Sequence, residues 1–251
     1  ESGFLHDWRK ISKRRFCEVL IFWIGMLAFK ALVNVLAAGT IDRNVAGTAG
    51  VSALFWHLSI HYVMLCYTAL HVCCGLELAV DSFGLRFFSE MDMAEAVDEW
   101  NKVQAMLRQV SAKISTMLLI LTCPCLAFLV LVAEKVFFRP REAAGFDESM
   151  HWTANVYPLL GLLVYTLMRA ASVTEKAKKV GPLVNSWKFD SSEEEEEEGE
   201  PVWMDTERQY VVQYINQSEA GFYMRGVKLT AFNVQKLMYY LAALSFALYS
   251  R

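Results

Sequence analysis

Three histidines, His57, His61 and His71, fall within one apolar block of this chain. His57 and His61 are a helical turn apart and would share a face, and His71 follows further along. A helix offering histidines toward both membrane faces has the layout for two haems, provided another helix supplies the partner ligands. The remaining histidines, His6 and His151, lie outside the spans, so one chain offers an incomplete set. A polar helix face bonded to neighbouring helices or lining a wet cavity accounts for the same residues. Lys30 and His61 sit inside apolar blocks and Glu77 near the end of one. Such groups are costly in hydrocarbon and turn toward protein or water, or snorkel to a helix end. Lys30, His57 and His61 are therefore candidates for a ligand cavity or ion path.

The last block carries a second pattern. Asn233, Lys236, Tyr240, Ala243, Ala247 and Ser250 recur at steps of three and four, beside an apolar stripe of Leu237, Leu241, Leu244 and Leu248. Small and polar residues on one face serve either to line a pore or to let two helices approach closely. Spacing alone leaves both open. Six cysteines, Cys17, Cys66, Cys73, Cys74, Cys123 and Cys125, lie in or beside apolar blocks, without zinc or disulfide-framework spacing. They read as buried, reduced thiols used as small hydrophobes. No nucleophile elbow, phosphate loop, H-E-x-x-H or nucleotide fingerprint occurs. The expectation is a non-enzyme with no cofactor and no metal site. Asn216-Gln217-Ser218 matches the glycosylation sequon but falls on the expected cytoplasmic side.

These residues must be positioned by membrane helices. Of 251 residues, 55% are hydrophobic and 20% charged, and mean hydropathy is +0.28. The apolar residues gather in blocks of about 20, the length that crosses ~30 Å of hydrocarbon. The expected fold is all-α, a single polytopic helical membrane domain over residues 1–251. Spans are expected near 16–38, 51–80, 117–133, 152–171 and 229–250. The first is too long for a signal-peptide core and lacks a small-residue cleavage site. A chain starting at Glu1 rather than methionine also suggests residues upstream.

Between the spans the pattern changes. Ala94, Val97, Trp100, Val103, Leu107, Val110 and Ile114 recur at helical spacing, with charges on other faces, so 90–114 reads as an amphipathic helix running into the third span. Pro124 is a candidate kink within that span. Residues 172–187 extend the fourth span, and 203–218 form a polar helix. Gly221 and Gly226 bracket a break before the last span. Residues 188–201 hold Glu193 to Glu198 between Ser191-Ser192 and Gly199; like charges repel, so a disordered loop is expected. The net charge of −3 arises there, since without those six glutamates 24 basic residues face 21 acidic ones. No stripe of basic and aromatic residues suggests a nucleic-acid partner.

A cytoplasmic amino terminus puts the Arg9–Arg15 cluster, Arg86, Lys102, Arg108, Lys113, the Lys176–Lys179 group, Arg225 and Lys228 inside. Arg43, Lys135, Arg139 and Arg141 fall in outer loops over 39–50 and 134–151. The basic excess then lies inside, as the positive-inside bias requires.

Three segments carry a family resemblance. Met106-Leu-Arg-Gln-Val-Ser-Ala-Lys-Ile-Ser-Thr-Met-Leu-Leu is similar to the cytoplasmic helix entering the fifth span of the insect gustatory and odorant receptor superfamily. Ala171-Ser-Val-Thr-Glu-Lys-Ala-Lys-Lys-Val-Gly-Pro-Leu-Val resembles the exit from its sixth. Arg208-Gln-Tyr-Val-Val-Gln-Tyr-Ile, followed by Phe222, Gly226 and the last span, resembles its split seventh helix. The resemblance covers roughly 90–251 and lies in architecture more than in residue identities. In place of the family's threonine–tyrosine to glutamine–phenylalanine signature this chain has Leu244-Ser-Phe-Ala-Leu-Tyr-Ser-Arg251. The resemblance implies seven spans, two of them upstream of Glu1. It also implies a homo-tetramer or hetero-oligomer joined through the cytoplasmic helices, a cation pore among the last helices, and an outward-opening pocket for a small-molecule ligand. The leading expectation is thus a gustatory-receptor-like, ligand-gated cation channel or chemoreceptor subunit surrounded by membrane lipid, in the plasma membrane. A non-conducting membrane scaffold and a histidine-ligated haem protein are the alternatives.

Overall fold

A computed structural model describes the backbone of residues 2–38, 45–90, 93–138, 146–186 and 206–249. Four long helices carry the architecture: α1 (Ser2–Ala38), α2 (Val45–Glu90), α3 (Met93–Phe138) and α4 (Phe146–Ser186). A short helix α5 (Thr206–Gln217) follows, then a two-stranded hairpin, β1 (Tyr223–Met224) and β2 (Val227–Lys228), and a final helix α6 (Ala231–Tyr249). Each of α1 to α4 includes a stretch long and apolar enough to cross a membrane. The fold is an all-α, polytopic membrane architecture. At 19 residues, α6 extends about 28 Å, close to the hydrocarbon thickness.

The helices are longer than the expected spans. α1 begins at Ser2, so the Arg9–Arg15 cluster is itself helical. α2 starts at Val45, taking up half of the expected outer loop 39–50. α3 continues past the expected span to Phe138, and α4 starts at Phe146, which corrects the expected loop 134–151 at both ends. α3 passes through Pro124 without ending. At 46 residues, α2 and α3 are each about 69 Å long, more than twice the hydrocarbon core. The excess must stand in water. The acidic tract 188–201 and Ser250 lie outside the described residues.

Cross-helix contacts fix the directions. Along α1 and α2, Trp8 meets His71, Ser12 meets Tyr67, Trp23 meets Ser59, and Asn34 meets Ser52. One number falls as the other rises, so the pair is antiparallel. Tyr62 touches Cys125, and Phe83 touches Trp100, which sets α3 antiparallel to α2. Tyr62 also reaches Leu159, Glu77 reaches Arg169, and Asp81 reaches Lys176; α4 runs parallel to α2. The four helices therefore alternate up and down, and the ends of α2 and α4, the starts of α1 and α3, and α5 share one polar end.

That polar end has the best-packed core. Trp100, Phe83, Phe222, Leu107, Val173, Val184 and Val211 are fully buried there. They come from α2, α3, α4, α5 and the turn after α5, so helices that would otherwise stand alone in water close over one apolar centre. The other end differs: α1 leaves Ile21, Ile24, Leu32 and Val35 exposed in the isolated chain, as a lipid-facing helix must. Gly75 belongs to the α1–α2 seam. A Cβ there would sit 3.1 Å from the Trp8 ring, and the missing side chain lets Trp8 lie flat on α2.

The break before the last helix is a tight hairpin. Tyr223 pairs with Lys228 and Met224 with Val227. Arg225 and Gly226 both have positive φ, 51° and 83°, the type I′ pattern that fits the right-handed twist of paired strands. Thr230 then caps α6 by accepting the amide of Asn233 at 3.3 Å.

Candidate functional site

The α6 face is the first candidate. Val234 is buried, and Leu237 and Leu241 pack against the core. That seam confirms part of the apolar stripe; Leu244, by contrast, is exposed. Successive residues of an α-helix are 100° apart, so Asn233, Lys236, Tyr240, Ala243 and Ala247 lie about a third of a turn from the seam. All five are exposed in the single chain, Tyr240 at 68%. The Asn233 amide is engaged locally, donating to the Lys228 carbonyl at 3.0 Å. The Lys236 ammonium lies 4.4 Å from the Phe232 ring centroid, a cation–π contact that folds it back along the helix toward the polar end.

The cavity candidates in the first two helices separate. Lys30 is buried on the α1–α2 seam, its ammonium 5.7 Å from the Phe55 ring centroid. His57 and His61 turn to the exposed side of α2, their rings 4.6 Å apart and edge-on. The structure does not gather these three into one enclosed space. His71 is separately engaged: its Nδ1 lies 2.5 Å from the Ser12 hydroxyl, and Trp8 stacks on its ring at 4.8 Å. No group of three or more His, Cys, Asp or Glu side chains among the described residues is placed to hold a metal ion. The cysteine expectation needs amending: Cys66, Cys73, Cys74 and Cys125 are buried, while Cys17 and Cys123 are exposed in the isolated chain.

Two polar networks that the sequence reading did not assemble tie α1, α2 and α4 together where they leave the apolar zone. In the first, Arg15 pairs with Glu18 at 2.6 Å and donates to the Tyr165 hydroxyl at 2.8 Å, while Tyr165 donates back to Glu18 at 3.1 Å. In the second, Arg169 pairs with Glu77 at 3.0 Å, and Ser172 also donates to Glu77. Each carboxylate thus meets an arginine and a hydroxyl, the arrangement that lets ionised groups leave water. The Nε atoms of Arg15 and Arg169 are buried without a hydrogen-bond partner among the described residues. Glu77 stood out in the sequence as a charge near a span end. Arg169, a lone cation in the fourth apolar block, was the signal for its partner.

The polar end is braced further by side chains reaching backbone. Trp100 donates its indole N–H to the Ser218 hydroxyl at 2.8 Å, and Gln104 donates to the Ser218 carbonyl. Ser218 of the sequon is therefore a packing residue. Arg208 donates to the Val184 and Asn185 carbonyls, capping α4 with a cation. Lys228, in the hairpin just before α6, has its pKa lowered, chiefly by burial and further by Lys178, against the pull of Glu219 and Glu175.

Fold and composition together define the class: an integral, multi-helix membrane protein with a packed polar end and a peripheral last helix. No family model and no curated protein matches the chain.

Proposed function

We propose that this chain is a subunit of an oligomeric, ligand-gated cation channel of the gustatory-receptor-like kind, in the plasma membrane with its amino terminus cytoplasmic. What supports the reading most is the position of α6. It is seated along one narrow seam, leaving the Asn233–Lys236–Tyr240–Ala243–Ala247 face uncovered. In this reading, four copies associate through the polar-end helices and turn those faces toward a shared axis. The up-and-down order of α1 to α4 supports the orientation, since it collects Arg9–Arg15, Arg86, Arg108 and Lys176–Lys179 at one end, the cytoplasmic one by the positive-inside bias.

The test is reconstitution in lipid bilayers. Ala243→Leu with Ala247→Leu is expected to abolish ligand-evoked current while leaving assembly and thermal stability unchanged. Wild-type protein that forms no oligomer and passes no current with any ligand tried counts against the proposal. The exposed aromatic residues Phe232, Tyr239 and Phe246 favour a second reading, a non-conducting scaffold whose α6 meets lipid. There the same substitutions leave the bilayer electrically silent, as the wild type is.

A further inference from the structure

A cavity of about 570 Å³ lies between α3 and the hairpin that precedes α6, lined by Arg108, Ser111, Ser115 and Thr116 on one side and Glu219, Tyr223 and Arg225 on the other. We propose that this cavity binds the phosphate-bearing headgroup of an anionic membrane phospholipid, with Arg108 and Arg225 as its cations.

Depth is the first argument. On α3 the lining ends at Thr116, one residue before the apolar block that opens at Met117, and on the other wall the hairpin leads within a few residues into α6. Both walls therefore sit where polar chain becomes membrane helix, at the headgroup level of a single leaflet. A cavity at that depth meets lipid phosphates first, and basic pockets between membrane helices are where such headgroups lodge.

Availability of charge is the second. Arg14, Arg15, Arg86 and Arg169 are each paired with a carboxylate, and Arg208 is spent on carbonyls. Arg108 and Arg225 make no side-chain hydrogen bond or ion pair among the described residues. Two arginines that line one cavity without a paired carboxylate suit a phosphate, which a guanidinium fork can take with two parallel bonds. Against them stands one lining carboxylate, Glu219, leaving a net charge of +1 from two arginines and one glutamate.

Rigidity is the third. Arg225 is fixed in the left-handed region by the type I′ turn, and Tyr223 is held by donating its hydroxyl to the Glu219 carbonyl at 2.6 Å. Ser111 and Ser115 are buried, with their hydroxyls turned to the α3 backbone. The volume lies within the range of small-ligand sites, roughly 300–1,000 Å³, and admits a headgroup while its acyl chains remain in the bilayer. The proposal does not depend on the channel reading, since every group comes from one chain.

The experiment uses the full chain in detergent with three probes: dioctanoylphosphatidic acid, dioctanoylphosphatidylcholine and glycerol 3-phosphate. Native mass spectrometry counts bound lipid, and thermal unfolding reports the shift. Phosphatidic acid is expected to bind and raise Tm, and the other two to do neither. Arg108→Gln with Arg225→Gln should weaken the affinity roughly 25-fold, about fivefold for each cation. Equal binding of phosphatidylcholine, equal binding of glycerol 3-phosphate (a free-phosphate site), or unchanged affinity in the double variant overturns the proposal. A second measurement needs no variant: a photoactivatable phosphatidic acid is crosslinked to the wild-type chain in membranes. Label on peptides covering 106–116 and 219–229 supports the site, and label confined to other peptides refutes it.

Discussion

Removing the Glu77 carboxylate is the most direct test of how the helices are held together. Its side chain is 11% exposed, that of Arg169 is 25% exposed, and they meet at 3.0 Å. Glu77→Ala would leave Arg169 without its carboxylate, in a place where its Nε is already buried and unpartnered. Ser172 would lose the same acceptor. Breaking a buried pair from one side costs about 3–5 kcal/mol. The partial exposure of Arg169 argues for the lower end, about 3 kcal/mol. For a chain of this size each kcal/mol lowers Tm by about 2–4 °C, so a fall of roughly 6–12 °C is expected. Glu77→Gln keeps one acceptor, its amide oxygen, for Arg169 but turns its NH2 toward Ser172, and should lose less than Glu77→Ala does. Glu77→Met with Arg169→Met removes both charges and should recover most of the loss, because well-packed apolar residues replace buried ion pairs at little cost. Thermal unfolding of detergent-solubilised protein, with size exclusion to confirm a single species, provides the assay. If Glu77→Ala shifts Tm by less than about 2 °C, or if the double variant is no better than the single ones, the pair does not join α2 to α4 as argued.

Three further outcomes follow from the same packing. Trp100→Ala should cost about 3–5 kcal/mol, since the indole is fully buried, whereas Trp100→Phe should cost about 1–2 kcal/mol through lost ring volume and the lost bond to Ser218; Tm of the two variants separates the contributions. Tyr165→Phe removes the hydroxyl shared by Arg15 and Glu18 and should cost about 1–3 kcal/mol, read as a lower Tm with unchanged oligomeric state. Lys228→Met tests pH dependence. Burial lowers the folded-state pKa of Lys228 below its ordinary 10.5, so between the two values the unfolded chain holds more protons and wild-type stability rises with pH. The variant should therefore be the more stable at neutral pH, and its advantage should shrink as the pH approaches 10.5; a constant difference in Tm across that range would refute the assignment.

Much of this architecture was legible in residue order. Apolar blocks of membrane length, the Trp100-centred stripe of α3 and the pair Gly221 and Gly226 mark long apolar helices, polar-end packing and a break before the last helix from local pattern alone, because block length and helical period are properties of the chain itself; that the break closes into a hairpin was not legible. The helix ends were less legible: α2 and α4 each begin inside an expected loop, since backbone hydrogen bonding carries a helix past the last apolar residue. Which polar residue meets which was hidden altogether. Arg169 and Glu77 stand 92 positions apart, and only parallel packing of α2 and α4 makes them partners. Arg108 and Arg225 likewise share a cavity only because the hairpin folds back beside α3. Lys30, His57 and His61 read alike as polar intrusions, yet rotation of α2 about its axis turns both histidines outward while Lys30 faces the seam. Sequence by itself determined that helices form and which stretches are apolar enough to meet lipid, for those are local properties of the backbone and of its side chains. Partner choice among distant charges was decided by tertiary packing, because helix direction and rotation depend on every neighbour at once.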